Sequence, residues 1–125
     1  MASLYKMTTE KNEEDKPTRY FSKKQEKKVA KAVGGKTTAN SGATAFSKGD
    51  VLTDKFVLEC KTKTTDSKSI SVKKEWIEKN IQEMVFMGKD YQAIVISFGP
   101  GQPNYYIIDE LTFQEFLEYL NNKEE

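Results

Sequence analysis

Three side chains have the types and spacing to do chemistry together: Asp50, Glu59 and Lys61. They stand in the run Gly49-Asp50-Val51-Leu52-Thr53-Asp54-Lys55-Phe56-Val57-Leu58-Glu59-Cys60-Lys61. If Asp54-Lys55 is a two-residue hairpin loop, Thr53 faces Phe56, and counting outward sets Asp50 directly opposite Glu59. Directly opposed residues point to one side of a sheet, with Cβ atoms roughly 4.5–5.5 Å apart. Strand alternation adds Lys61 to that face and leaves Phe56, Leu58 and Cys60 for a core on the other. Two carboxylates held this close repel unless a cation sits between them. A hard divalent ion suits them, and it would polarise a phosphate and acidify a bound water. Lys61 is a point charge able to orient that water or offset charge developing on the phosphate. The plain alternative is that Glu-x-Lys is a common pattern on a half-exposed strand. Against it, Glu59 interrupts an apolar run, and Asp50 opens a strand where propensity disfavours it.

The elements around these residues read as follows. Residues 1–20 are polar and charged with no sustained apolar period, which predicts a mobile tail ahead of one domain over 21–125. Ser22 and Gln25 have the spacing of a capping box for a helix that stops at Gly34-Gly35. Lys36 to Ala39 is a candidate short strand, and Asn40-Ser41-Gly42 begins a loop of small residues. Strands are expected over 50–53 and 56–62. Ser71 can cap a helix carrying Val72, Trp76, Ile77, Met84 and Val85 that ends at Gly88. Trp76 and Ile77 read as helix core. Tyr91 to Phe98 is a buried strand, residues 99–103 form a turn, and Tyr105 to Ile108 returns. Thr112 to Glu115 is a second capping box, with Leu111 and Phe116 at the two positions of a hydrophobic staple, for a last helix to about Asn121. The order predicts a single α/β domain, a mixed central sheet flanked by helices.

Composition narrows the chemistry further. Histidine is absent from the 125 residues and Cys60 is the single cysteine. That excludes Ser-His-Asp and Cys-His nucleophilic machinery, His-containing zinc sites and zinc held by four thiolates. Any metal must be held mainly by oxygen, which suits magnesium or manganese. The lone cysteine, the lack of an apolar segment long enough to span a bilayer and the lack of a leader-like start predict an intracellular, cytoplasmic setting without membrane.

The net charge of +1 hides a segregation: residues 19–74 hold 14 Lys and Arg against 5 Asp and Glu, whereas residues 75–125 hold 3 against 10. A basic half that carries a polyanion is one reading, with Lys23, Lys27, Lys28 and Lys63 as phosphate contacts. The other is charge that only solubilises a small domain.

Gly49-Asp50, then Glu59-Cys60-Lys61, then a helix and a strand resembles the PD-(D/E)XK nuclease signature. Over residues 22–120 the arrangement is similar to the Holliday junction resolvases of archaea and phages. The resemblance implies a restriction-endonuclease-like fold and a magnesium- or manganese-dependent endonuclease. It implies Asp50 and Glu59 as metal ligands and Lys61 as the catalytic lysine. Glu26 would be a further ligand from the first helix, and Ser41 the serine of the Ser-Gly loop. The family's first-strand arginine has Lys36 in its place. The implied substrate is branched DNA such as a four-way junction, cut by phosphodiester hydrolysis. The implied assembly is a homodimer, with Tyr91, Phe98, Tyr105 and Tyr106 as candidate contacts, and a phage-encoded enzyme fits the same pattern. A nicking or restriction-like nuclease would share this site, and a nucleic-acid-binding domain without activity is the alternative from another class.

Overall fold

The computed structural model describes residues 17–38 and 49–124. The chain runs α1 (Thr18–Val33), β1 (Lys36–Thr37), β2 (Val51–Leu52), β3 (Phe56–Thr62), α2 (Lys74–Phe86), β4 (Tyr91–Ser97), β5 (Asn104–Ile107) and α3 (Glu110–Glu124). The five strands lie in the order of the chain in one sheet, antiparallel except for the central parallel pair β3–β4. A parallel pair needs a long crossover connection, and α2 lies within it. This is the expected α/β domain, a mixed central sheet flanked by helices, laid out as in restriction-endonuclease-like folds. No helix among the described residues is long and apolar enough to cross a membrane.

Alternation along β3 divides the sheet into two faces. Leu58 and Cys60 register with Ala93 and Val95 of β4, and these four join Val51 and Val29 of α1 in one buried cluster. Fully burying a side chain such as Val29, which is 0% exposed, contributes about 1.5–3 kcal/mol. Val57, Glu59 and Lys61 point the other way and register with Gln92, Ile94 and Ile96. On that side, Asn80 of α2 donates its side-chain amide to the carbonyls of Val57 (3.3 Å) and Ala93 (3.1 Å) and to Gln92 Oε1 (2.9 Å).

Helix boundaries depart from the local signals. α1 begins at Thr18, so residues 18–20, expected in the tail, are helical. The rest of that tail, residues 1–16, lies outside the described residues. Pro17 stands at the N-cap with φ −65°, and it has no N–H to leave unsatisfied. Ser22 therefore lies within the helix rather than at its cap. Gln25 forms a buried i, i+4, i+8 stripe with Phe21 and Val29. The other end follows expectation, with Gly34 at φ 67° and its N–H donating to the Ala30 carbonyl.

α2 begins three residues after Ser71, with Lys73 at its N-cap and no side-chain cap bond. Val72 and Val85, two of the apolar positions expected on the helix, are 40% and 69% exposed, while Asn80 and Glu83 are buried. The strip of sheet beneath α2 offers polar acceptors, and an amide satisfies them where a valine cannot. At α3, Asp109 takes the capping role expected of Thr112: its Oδ1 accepts from the Thr112 N–H at 2.8 Å. Aspartate caps at least as well as threonine. The helix runs on to Glu124, beyond the expected end at Asn121. Leu111, 71% exposed, makes no staple. Phe116 packs near Phe56 and Tyr91 instead, with ring centroids 6.3 Å from each.

Candidate active site

The β2–β3 hairpin holds its expected register through Val51↔Leu58, and Thr53 donates its N–H to the Phe56 carbonyl at 3.1 Å. The Thr53 hydroxyl oxygen accepts from the Phe56 N–H at 2.9 Å, which tightens the turn. One residue further out the ladder breaks. The Asp50 N–H donates to the Leu58 carbonyl at 3.0 Å, and the Asp50 carboxylate accepts from the Cys60 N–H at 2.8 Å. Asp50 thus reaches across β3 rather than standing as a ladder partner of Glu59.

Gly49 permits this bend: its φ is 75°, and a Cβ there would lie 2.5 Å from Val57 Cγ1. Thr38, the residue after β1, braces the same corner, because its hydroxyl donates to the Gly49 carbonyl at 2.7 Å.

β1 and β2 are only two residues long, and the sheet gives way there to an open cavity of about 1190 Å³. Asp50, Glu59 and Lys61 line it, and so does Glu26 of α1. Lys23, Lys27 and Lys63 line it as well. Lys28 and Lys36 are exposed and do not, and Ser41 lies outside the described residues. The cavity also takes in residues that sequence reasoning left elsewhere: Arg19, Thr38, Ser71, Lys73 and Trp76. Arg19 had a signal, since Arg19, Lys23 and Lys27 recur at helical spacing, but placing the helix start at Ser22 hid it. Trp76 had none, because local spacing cannot tell a core aromatic from one that walls a cavity.

The electrostatics are those of crowded acids. Burial pushes Glu26 up to about 7, and the charges of Asp50 and Glu59 add to this against Lys23 and Arg19. Burial likewise pushes Glu59 up to about 7, with Asp50 and Glu83 adding and Lys61 and Lys79 opposing. Asp50 is raised by burial, against the Cys60 N–H, Lys61 and Lys79. Lys61 Nζ stands 3.5 Å from Glu59 Oε1. The Cys60 thiol, buried on the opposite face, is raised by burial and by the carboxylates, so it remains a protonated, inert packing group.

Carboxylate oxygens at partly desolvated positions, all three raised by burial and Glu26 and Glu59 also by neighbouring carboxylates, are the donor type that a hard divalent cation selects. Among the described residues, no three Asp, Glu or Cys side chains close into a ready-made chelating cluster. Gln25 and Glu83, both buried, complete the surroundings. The Gln25 amide donates to the Lys61 carbonyl (3.0 Å) and to Asn104 Oδ1 (3.2 Å), tying α1 to the end of β3. Both Glu83 oxygens lack a hydrogen-bond partner among the described residues. Comparison of the chain with protein-family models, with curated proteins and with solved structures gives no match.

Proposed function

We propose that this chain is a metal-dependent endonuclease of the PD-(D/E)XK type, acting on DNA. The observation that carries the reading is the gathering of Asp50, Glu59, Lys61 and Glu26 on one open cavity edged by Arg19, Lys23, Lys27, Lys63 and Lys73. Acids flanked by bases suit a phosphodiester: the cations hold the backbone, and the acids hold what activates water.

Asp50 and Glu59, with Glu26 beside them, would hold magnesium or manganese. When bound, such an ion polarises the scissile phosphate and lowers the pKa of water. The protein's own contribution is position. The Cys60 N–H holds the Asp50 carboxylate against β3. Glu59 is anchored mid-strand, and Lys61 extends beside it to offset charge that develops on the phosphate. Arg19, Lys23 and Lys27, one helical turn apart on α1, follow the phosphate backbone.

The substrate proposed is branched DNA, cut by a homodimer that presents two sites. Exposed Phe113, Leu117 and Leu120, at i, i+4 and i+7 on α3, offer a second copy an apolar stripe, and Tyr105 and Tyr106 are exposed on β5. The test is cleavage of a four-way junction and of a linear duplex of the same arm sequence, in magnesium, manganese or chelator, with light scattering on the same sample. A dimer that nicks opposing strands of the junction only with metal supports the whole reading. A monomer that cuts duplex equally well leaves the nuclease and removes the resolvase. Binding without cleavage leaves the non-catalytic alternative.

A further inference from the structure

We propose that Trp76 is a positioning residue of this site, its indole face holding the Lys61 ammonium beside Glu59; the inference deepens the nuclease reading and rests on it. Lys61 Nζ lies 4.8 Å from the centre of the Trp76 ring and 3.5 Å from Glu59 Oε1. The first distance is well within the range of a cation–π contact. A lysine ammonium rides on a flexible four-carbon stem, and holding it in one place costs rotamer freedom. Two contacts from two different elements, a carboxylate on β3 and a ring on α2, confine it. Both Lys61 and Trp76 line the cavity.

α2 is built for this placement. Trp76, Asn80 and Glu83 fall at i, i+4 and i+7, on one face of the helix. Asn80 and Glu83 are buried, and Asn80 is bonded to β3 and β4. Trp76 is half-buried, at the end of that face nearest the cavity. A leucine would fill the same helix position, but it has no π face to offer a cation. That difference makes the inference testable.

Trp76 is the single tryptophan of the chain, so intrinsic fluorescence reads this one place. In metal-free buffer without DNA, Lys61→Met is expected to shift the emission maximum, because a charge above the ring is removed. An unshifted spectrum overturns the contact, whatever the protein cuts. In single-turnover cleavage of a four-way junction with magnesium, Trp76→Leu is expected to lower the rate about tenfold with the junction Kd unchanged, the scale of a partly desolvated cation–π contact. Trp76→Phe, with a smaller π face, is expected to fall in between. A Trp76→Leu rate equal to the parent's overturns the inference, as does a Trp76→Phe that falls as far as Trp76→Leu. Thermal melts check each variant. If Trp76→Leu does not fold, Trp76→Phe decides: a loss of about threefold at unchanged Kd supports the role, and no loss overturns it. A parent protein that cuts no nucleic acid fails the nuclease reading and overturns the catalytic half, and the emission shift then decides the contact by itself.

Discussion

The two faces of β3 differ by one residue in phase and in whether polar groups share the burial. Leu58 and Cys60 look into a dry cluster with Val29, Val51, Ala93 and Val95. Val57, Glu59 and Lys61 look toward α2, where the buried polar groups Asn80, Glu83 and Gln92 stand among buried Ile94 and Ile96 and only Val57 of the three is itself buried. The first face gains stability from every apolar group it removes from water. The second holds Glu59 at a position where burial opposes ionisation, and a sequence selected for stability alone would not place it there. One strand can do both because its side chains alternate, so the apolar side supports the one that lines the cavity.

The comparison breaks first on the polar face. Asp50→Asn or Glu59→Gln is expected to reduce magnesium-dependent cleavage on the order of 10³-fold or more, while far-UV circular dichroism and junction binding stay close to the parent's. Either purified variant still cutting at the parent rate would falsify the assignment. On the apolar face the effect moves to stability: Leu58→Ala is expected to cost about 3 kcal/mol in urea unfolding, with cleavage by the folded fraction intact. If Glu59→Gln costs as much stability as Leu58→Ala, the division between the faces fails.

Smaller effects sharpen the same contrast. Replacing Lys23, Lys27 and Lys63 by glutamine together should weaken DNA binding on the order of tenfold or more. Every lysine that neutralises a backbone phosphate should, once replaced, lower the log–log salt slope by about 0.9 on duplex. An unchanged slope would move the binding face elsewhere.

The smallest effect is in pH. Glu26 and Glu59 are raised to about 7 in the folded protein, above their ordinary value of 4.5, so the folded state binds more protons than the unfolded one between those values. Their contribution to stability is therefore present at acid pH and is lost as pH rises through about 7. In chelator, the Tm from these groups should fall by a few degrees between pH 5 and 7.5 and then level off, and magnesium should flatten the fall. A Tm that rises across this window would contradict the electrostatics of the cavity.

Much of this was legible in local patterns. The hairpin register from Thr53↔Phe56 to Val51↔Leu58, the stop of α1 at Gly34 and the strand Tyr91–Ser97 all follow from turn chemistry and alternation. Asp50, Glu59 and Lys61 stand out as a group because a two-residue turn places them within a few ångströms by counting alone. Counting yields their neighbourhood but not the twist at Asp50, where Gly49 and Thr38 turn the carboxylate onto the Cys60 N–H.

The sequence by itself determined which residues alternate, where the chain turns and that any bound metal would have to be held by oxygen, since these depend on near neighbours and on which side chains exist at all. Only the tertiary structure decided that Glu26 and Arg19 of α1 and Trp76 of α2 share a cavity with Asp50. It also decided that Gln25, read as a capping residue, and the polar Asn80 and Glu83 are buried. Those outcomes depend on desolvation and charge proximity between segments far apart in the chain. Both are properties of how helices lie against a sheet, and no local spacing encodes them.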